Sequence, residues 1–234
     1  MVTKDNNKNY INFISRLENN DLKDMWEKDT HFREKFFDYI YNDLLDIEKP
    51  NILEFGVNAG FSTSLFLDIC NVNNGKLYSV DVNDYSNSFK DKNWNFIMSR
   101  DDNFDFLEKK IPSKLDVILI DTIHKPKHVA NILYHYYPKL EKNGFIIIDD
   151  ISWLYYVSKG DRDNFFREIN NKETFFKLIE IYNMNKENFS LEFNFSHSGV
   201  CKIKKKNNNY LNKSVKIKSR EFSIMNLLKK IVRK

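Results

Sequence analysis

Cysteine, glycine, proline and alanine are all scarce in this 234-residue chain: two Cys, six Gly and four Pro occur, and alanine stands only at Ala59 and Ala130. Cys70 and Cys201 lie far apart and lack metal-ligand spacing, which excludes a disulfide scaffold or a zinc ribbon. Both read as ordinary buried thiols. No stretch of 18 apolar residues is present, so no membrane-spanning helix is expected. The opening Met-Val-Thr-Lys-Asp-Asn-Asn lacks the apolar core of a signal peptide, and an intracellular, cytoplasmic protein is expected. The scarcity of alanine beside abundant Asn and Lys reads as coding bias toward AT-rich codons.

What the chain does have is enough to build a core. Hydrophobic residues make up 41% and aromatics 15%, which excludes intrinsic disorder for its body. The length suits one domain with attachments, or two small ones. The net charge of +4 is unevenly placed. From Cys201 to Lys234 there are twelve Lys and Arg against the single Glu221, which leaves 25 basic and 32 acidic residues in the first 200. An acidic body with a basic tail argues against broad nucleic-acid binding by the body.

Residues 9–48 read as helical. Tyr10, Ile11, Phe13, Ile14 and Leu17 form one stripe, and Phe36, Phe37, Tyr39, Ile40, Tyr41, Leu44 and Leu45 a denser one. Beyond Pro50 short apolar runs, at 51–55, 76–80, 95–98, 115–120 and 144–148, alternate with helical patterns at 62–69, 102–110 and 128–140, and a less regular one near 85–89. Strands apolar on both faces and separated by helices predict a doubly wound, Rossmann-like α/β domain with a mostly parallel sheet. After Ile151 a helix over 163–170 and strands over 176–182, 189–195 and 199–204 predict an antiparallel edge. The division expected is a helical N-terminal extension, 1–49, serving as lid or oligomer contact; a core domain, 50–205; and a basic linker with an amphipathic tail, 206–234.

The first strand ends in Leu53-Glu54-Phe55-Gly56-Val57-Asn58-Ala59-Gly60, and Phe61-Ser62-Thr63 open a helix. In an open parallel sheet, ligands bind beyond the carboxyl ends of the strands, and glycines there let the backbone come close to them. A carboxylate before the first glycine repels phosphate and suits a cationic ligand. Asp81 ends the second strand, where an acidic group can take both ribose hydroxyls. Asp101 and Asp102 follow the third, and either can meet an adenine amino group or cap the next helix. Asp121 ends the fourth strand with His124 three residues on, and Asp149 and Asp150 end the fifth. Three uncompensated carboxylates at one apolar edge call for a hard divalent cation, Mg²⁺ first, with Mn²⁺ or Ca²⁺ as other options.

These segments resemble the S-adenosylmethionine site of class I methyltransferases. Asp121-Thr122-Ile123-His124 with Asp149-Asp150 is similar to the metal-dependent O-methyltransferases, above all those acting on sugar hydroxyls. The resemblance covers about residues 50–205 and implies that Glu54, Gly56, Asn58, Gly60 and Ser62 surround the methionine part, Asp81 the ribose, and Asp101 or Asp102 the adenine. It further implies Asp121, Asp149 and Asp150 as Mg²⁺ ligands and His124 as general base. The acceptor expected is a sugar or related small molecule, as in polysaccharide biosynthesis. Two departures stand out: Asp149 takes the place of the usual Glu, and Arg100 that of the usual Gly before the acidic residue.

Trp153, Tyr155 and Tyr156 can either stack on an acceptor ring or pack on the N-terminal helices. His128 and His135 read as surface or packing residues. In the tail, Phe222, Met225, Leu228 and Val232 fall at helical spacing beside Lys229, Lys230, Arg233 and Lys234. That pattern suits peripheral contact with an anionic membrane and a lipid-linked saccharide, and equally a dimer contact or a solvated end. A homo-oligomer is expected. The other readings are an RNA or protein methyltransferase recruited by the tail, and a nucleoside-binding protein without catalysis.

Overall fold

The structure, a computed structural model, describes residues 4–153, 165–217 and 223–232. Its N-terminal part comprises α1 (Lys4–Arg16), α2 (Asn20–Lys28) and a helical stretch in which α3 (Thr30–Phe32) and α4 (Asn42–Leu45) flank a π-helix over Arg33–Tyr41. The side chains of Asn19 and Asp29 accept the first amide protons of α2 and α3, which divides the helical region expected over 9–48. π-helical turns are rare and gather at functional sites.

Seven strands follow: β1 (Asn51–Phe55), β2 (Lys76–Asp81), β3 (Trp94–Met98), β4 (Leu115–Ile120), β5 (Leu140–Asp149), β6 (Phe189–Asn194) and β7 (Val200–Lys205). Between and after them lie α5 (Phe61–Asn73), α6 (Phe104–Leu107), α7 (Pro126–Tyr136), α8 (Phe165–Met184) and α9 (Ile224–Val232). The sheet order is β3-β2-β1-β4-β5-β7-β6. The first five strands pair in parallel, and β7 and β6 form the antiparallel edge. This is the doubly wound, Rossmann-like sheet that the alternation of elements predicts. Neighbouring β1 and β4 mark the switch point, where a crevice opens at the carboxyl ends of the strands.

Successive strand residues face opposite sides of the sheet, so each strand feeds two cores. Ile118, Ile120, Ile146 and Ile148 pack beneath α7 and α8, while Val117, Leu119, Phe145 and Ile147 face α5 and the N-terminal helices. In the second core Phe13, Trp26, Phe36, Phe37, Ile40 and Tyr41 are at most 1% exposed. Each such side chain contributes about 2–3 kcal/mol by leaving water. Residues 1–49 were expected as an extension, yet their described part forms one wall of the main core. Cys70 and Cys201 are free and buried.

Five expectations change. The strand expected over 176–182 lies inside α8, because Asn171, Thr174, Leu178 and Ile181 are buried at helical spacing and extend the helix expected over 163–170. The helix expected over 102–110 shrinks to α6, and 85–89 forms turns. The pattern over 128–140 divides into α7, a short 3₁₀ turn at Tyr137–Lys139 and the first residue of β5. Residues 206–214 are no free linker, since Asn207 donates to the Glu187 carbonyl, the Asn212 amide to Asn185 Oδ1 and the Ser214 amide to the Tyr134 hydroxyl. Among the described residues no helix is long and apolar enough to cross a membrane.

Candidate active site

Strand register sets the site. Phe55 pairs with Val80 and with Ile120, and Ile120 pairs with Ile148, so the chain leaves the sheet side by side at Gly56, Asp81, Asp121 and Asp149. Gly56 and Gly60 adopt φ of 97° and 81°, and Asn58 has φ of 43°. A Cβ on Gly56 would stand 2.1 Å from the Asp121 carbonyl oxygen, so only glycine fits this crossing. The Asp81 carboxylate accepts the Val57 and Asn83 amide protons, each at 2.9 Å, which fixes its plane and leaves lone pairs toward the crevice. A cavity of about 340 Å³ opens there, lined among others by Gly56, Asn58, Asp81, Asp101, Asp121 and Thr122. Its volume lies within the range of small-molecule sites, about 300–1,000 Å³.

Four expected cofactor contacts, Glu54, Gly60, Ser62 and Asp102, are not among the residues that line this cavity. Glu54 is fully buried and takes hydrogen bonds from Ser62 Oγ at 2.6 Å, Thr63 Oγ1 at 2.9 Å and Ser79 Oγ at 2.6 Å. Ser62 thus spends its hydroxyl on Glu54, and both residues brace the loop and the start of α5. Burial pushes the Glu54 carboxyl up to about 7 against the pull of the three hydroxyls.

Asp101 and Asp102, alternatives in the sequence, are distinguished by their partners. Asp102 is engaged by Arg100, whose guanidinium donates twice at 2.8 Å. Asp101 is buried on the cavity wall, accepts from Thr122 Oγ1, and lies 2.7 Å from His128 Nε2. His128 is therefore part of the site's frame, a role its position in a helix pattern did not reveal. His135 stacks on Phe104 with ring centroids 3.7 Å apart and packs as expected.

The second constellation does converge, with an addition. His124 Nε2 lies 3.5 Å from Asp121 Oδ1 and 3.7 Å from Asp150 Oδ2, between the two carboxylates. Asp150 adopts φ of 56°. The Asp149 carboxylate meets the ammonium of Lys35, from the π-helix, at 2.7 and 2.8 Å, and the same nitrogen donates to Ser198 Oγ at 2.8 Å. Burial raises the Asp121 carboxyl well above its ordinary range, and the neighbouring Asp149 adds to this. Burial likewise raises Asp149, against the pull of Lys35. For Asp150 burial pushes upward, but His124, Lys35, Ser198 and Arg167 together hold it below its usual value. Loss of charge by desolvation also acts on Lys35, yet Asp149, Asp150 and Asp121 outweigh it and raise its pKa.

Lys35 bears on the expected metal. The sequence suggested three uncompensated carboxylates, whereas here the Lys35 ammonium pairs with Asp149, donating to Oδ2 and lying 2.7 Å from Oδ1, which accepts no hydrogen bond among the described residues. Among the described residues, the set of three or more ligand groups within 4.8 Å of one another is Asp101, Asp102 and His128, not Asp121, Asp149 and Asp150. A divalent ion sharing Asp149 with the ammonium at about 4 Å would meet roughly 8 kcal/mol of repulsion at an effective dielectric constant of about 20. The donor set as arranged does not fit Mg²⁺. Trp153 packs on Phe175 and Phe176 of α8, at centroid distances of 5.0 and 5.9 Å, while Tyr155 and Tyr156 lie outside the described residues.

Residues 53–151 match the family model of a methyltransferase domain. No curated protein sequence matches the chain. Among solved structures, the MycE methyltransferase of the mycinamycin biosynthetic pathway, in complex with Mg, SAH and mycinamycin VI, superposes with a TM-score of 0.54 at 18% identity, covering 76% of this chain and 50% of that one. The chain thus spans about half the length of MycE. A caffeoyl-CoA O-methyltransferase-like protein from Staphylococcus aureus gives a TM-score of 0.57 at 17% identity, over 85% of this chain and 99% of that one. SAH-bound PaMTH1 of Podospora anserina gives 0.54 at 12% identity, over 88% and 89%. At such identities the shared property is the fold, that of the class I methyltransferases. The family model and these structures together support the resemblance to S-adenosylmethionine-dependent methyltransferases.

Proposed function

We propose that this chain, with its class I methyltransferase fold, is an S-adenosylmethionine-dependent O-methyltransferase acting on a hydroxyl of a sugar or related small molecule. One observation carries the reading. The cavity holding Asp81 and Asp101 adjoins the centre holding His124, and Asp121 belongs to both. S-adenosylmethionine, when bound, supplies a methyl group on a sulfonium, open to in-line attack by an oxygen nucleophile.

In this reading the chain's residues divide the work. Asp81 takes the ribose hydroxyls, and Asp101, held by Thr122 and His128, faces the adenine. The Gly56 to Gly60 turn lets the backbone approach the methionine part, braced from behind by Glu54 and Ser62. His124 Nε2 takes the proton of the acceptor hydroxyl as its oxygen attacks. Asp121 and Asp150, both beside Nε2, stabilise the imidazolium that results. Lys35 neutralises Asp149 and limits the repulsion among the three carboxylates. Mg²⁺ takes no part, because Lys35 already compensates Asp149.

Incubation with methyl-labelled S-adenosylmethionine and a panel of free and lipid-linked saccharides, nucleic acid and protein tests the reading. Label is expected on a saccharide or small-molecule hydroxyl. Label on RNA or protein alone would overturn the acceptor class.

A peripheral membrane contact through the tail is the second part of the proposal, favoured by α9. Ile224, Met225, Leu228, Ile231 and Val232 are all more than half exposed, in a helix whose sequence carries Lys229 and Lys230 and no acidic residue. Each basic residue near an anionic bilayer adds about 1 kcal/mol. Cosedimentation of the whole chain with phosphatidylserine vesicles is expected, and its loss on deleting residues 218–234. Equal sedimentation of both forms would contradict the contact.

A further inference from the structure

The buried ion pair of Lys35 ties the N-terminal helices to the centre of the methyltransferase domain, across 114 residues of sequence. Neither its geometry nor its surroundings resemble a casual surface contact. The side chains of Lys35 and Asp149 are 7% and 6% exposed. The ammonium donates to Asp149 Oδ2 and Ser198 Oγ, each at 2.8 Å, and lies 2.7 Å from Asp149 Oδ1 as an ion pair. Its remaining sides are closed by the rings of Phe32 and Phe36, with centroids 5.4 and 5.0 Å away. The backbone that carries it is held in the core by Phe36, Phe37 and Ile40, all with no exposed surface. The backbone at Lys35 is therefore anchored, which fixes where its ammonium can reach.

We infer that Lys35 is the resident cation of the acidic centre, standing where a divalent ion would otherwise bind and keeping such ions off Asp149. A compact ammonium satisfies one carboxylate with directed hydrogen bonds. It leaves Asp121 and Asp150 to flank His124, which one cation gathered among all three carboxylates would not. Among the described residues Lys35 donates hydrogen bonds to Asp149 and Ser198, so its role is that of a positioning residue. The inference rests on the proposed function for its catalytic meaning, but not for its ion chemistry.

The test is Mn²⁺ binding by electron paramagnetic resonance on the full chain, which needs neither cofactor nor acceptor. The unmodified protein is expected to leave the spectrum of free Mn²⁺ unchanged. Lys35→Met is expected to bind one Mn²⁺ at least about tenfold more tightly, because it removes the competing charge, and the added change Asp150→Asn should weaken that site again. A stoichiometric, tight Mn²⁺ site in the unmodified protein would overturn the inference. So would a folded Lys35→Met that gains no affinity. Should that variant fail to fold, amine labelling of the unmodified protein gives the second measurement. Lys35 is expected to stay protected with or without Mn²⁺, and labelling induced by Mn²⁺ would show the lysine displaced and the inference wrong. Failure of the methyltransferase reading appears separately, as absent cofactor binding, and changes none of these outcomes.

Discussion

Replacing Glu54 by glutamine isolates the cost of a buried charge behind the cofactor loop. Burial raises this carboxyl from 4.5 to about 7. Between those values the unfolded chain has released the proton while the folded chain keeps it, so folding is favoured at the acidic end and loses stability as pH rises. At 1.36 kcal/mol per unit the loss amounts to about 3 kcal/mol once the pH passes 7. Glutamine keeps the shape and does not titrate. Its own penalty is an amide group facing three hydroxyl donors, which is independent of pH. Urea unfolding of both proteins from about pH 5 to about pH 8 is therefore expected to show the stability difference moving toward Glu54→Gln by about 2–3 kcal/mol. Curves that stay parallel across this window would refute the reasoning, for they would mean that the three hydroxyls hold Glu54 ionised in the fold at no net cost.

Two further substitutions test the site. His124→Ala should lower turnover by about 100-fold or more without changing cofactor affinity, as measured by steady-state kinetics and calorimetry, because the proposed function makes His124 the proton acceptor. Gly56→Ala should destabilise the fold by about 3 kcal/mol or more in urea unfolding, because its Cβ meets the Asp121 carbonyl oxygen at 2.1 Å and its φ is 97°.

Much of the fold is legible in the sequence where burial is two-sided. β1 and β4 start and stop where their apolar runs do, since a strand covered on both faces has no polar alternation to blur its ends. Legibility ends where a short apolar run fits two periods. Residues 176–182 alternate well enough for a strand, and only the contacts of Leu178 and Ile181 with the sheet show the helix. The site divides the same way. Residues at strand tips, such as Asp81, Asp121 and Asp149, are found by counting along strands. Lys35 and His128 act through partners 114 and 27 residues away, which no local pattern records. Lys35 left one signal, a lysine directly before the core aromatics Phe36 and Phe37.

The tail also separates what pattern and what packing decide. Its helix is readable from spacing, and α9 occupies Ile224–Val232 as that spacing suggests. Whether residues 206–214 hang free was not readable, because the asparagines that looked like linker composition are hydrogen-bonded to α8 and its neighbours. Side-chain amides carry both donors and acceptors, so a polar segment can be fixed to a surface without burying apolar area.

The account stands on the cavity beside Asp81 being the cofactor site, and calorimetric titration of the full chain with S-adenosylmethionine addresses this most directly. One site is expected, with a dissociation constant between about 1 μM and 1 mM. Asp81→Asn should weaken it at least about tenfold, because each lost hydrogen bond to a charged acceptor is worth about 1.5–3 kcal/mol. An unmodified protein that takes up no S-adenosylmethionine, or a folded Asp81→Asn that binds it unchanged, would contradict the account.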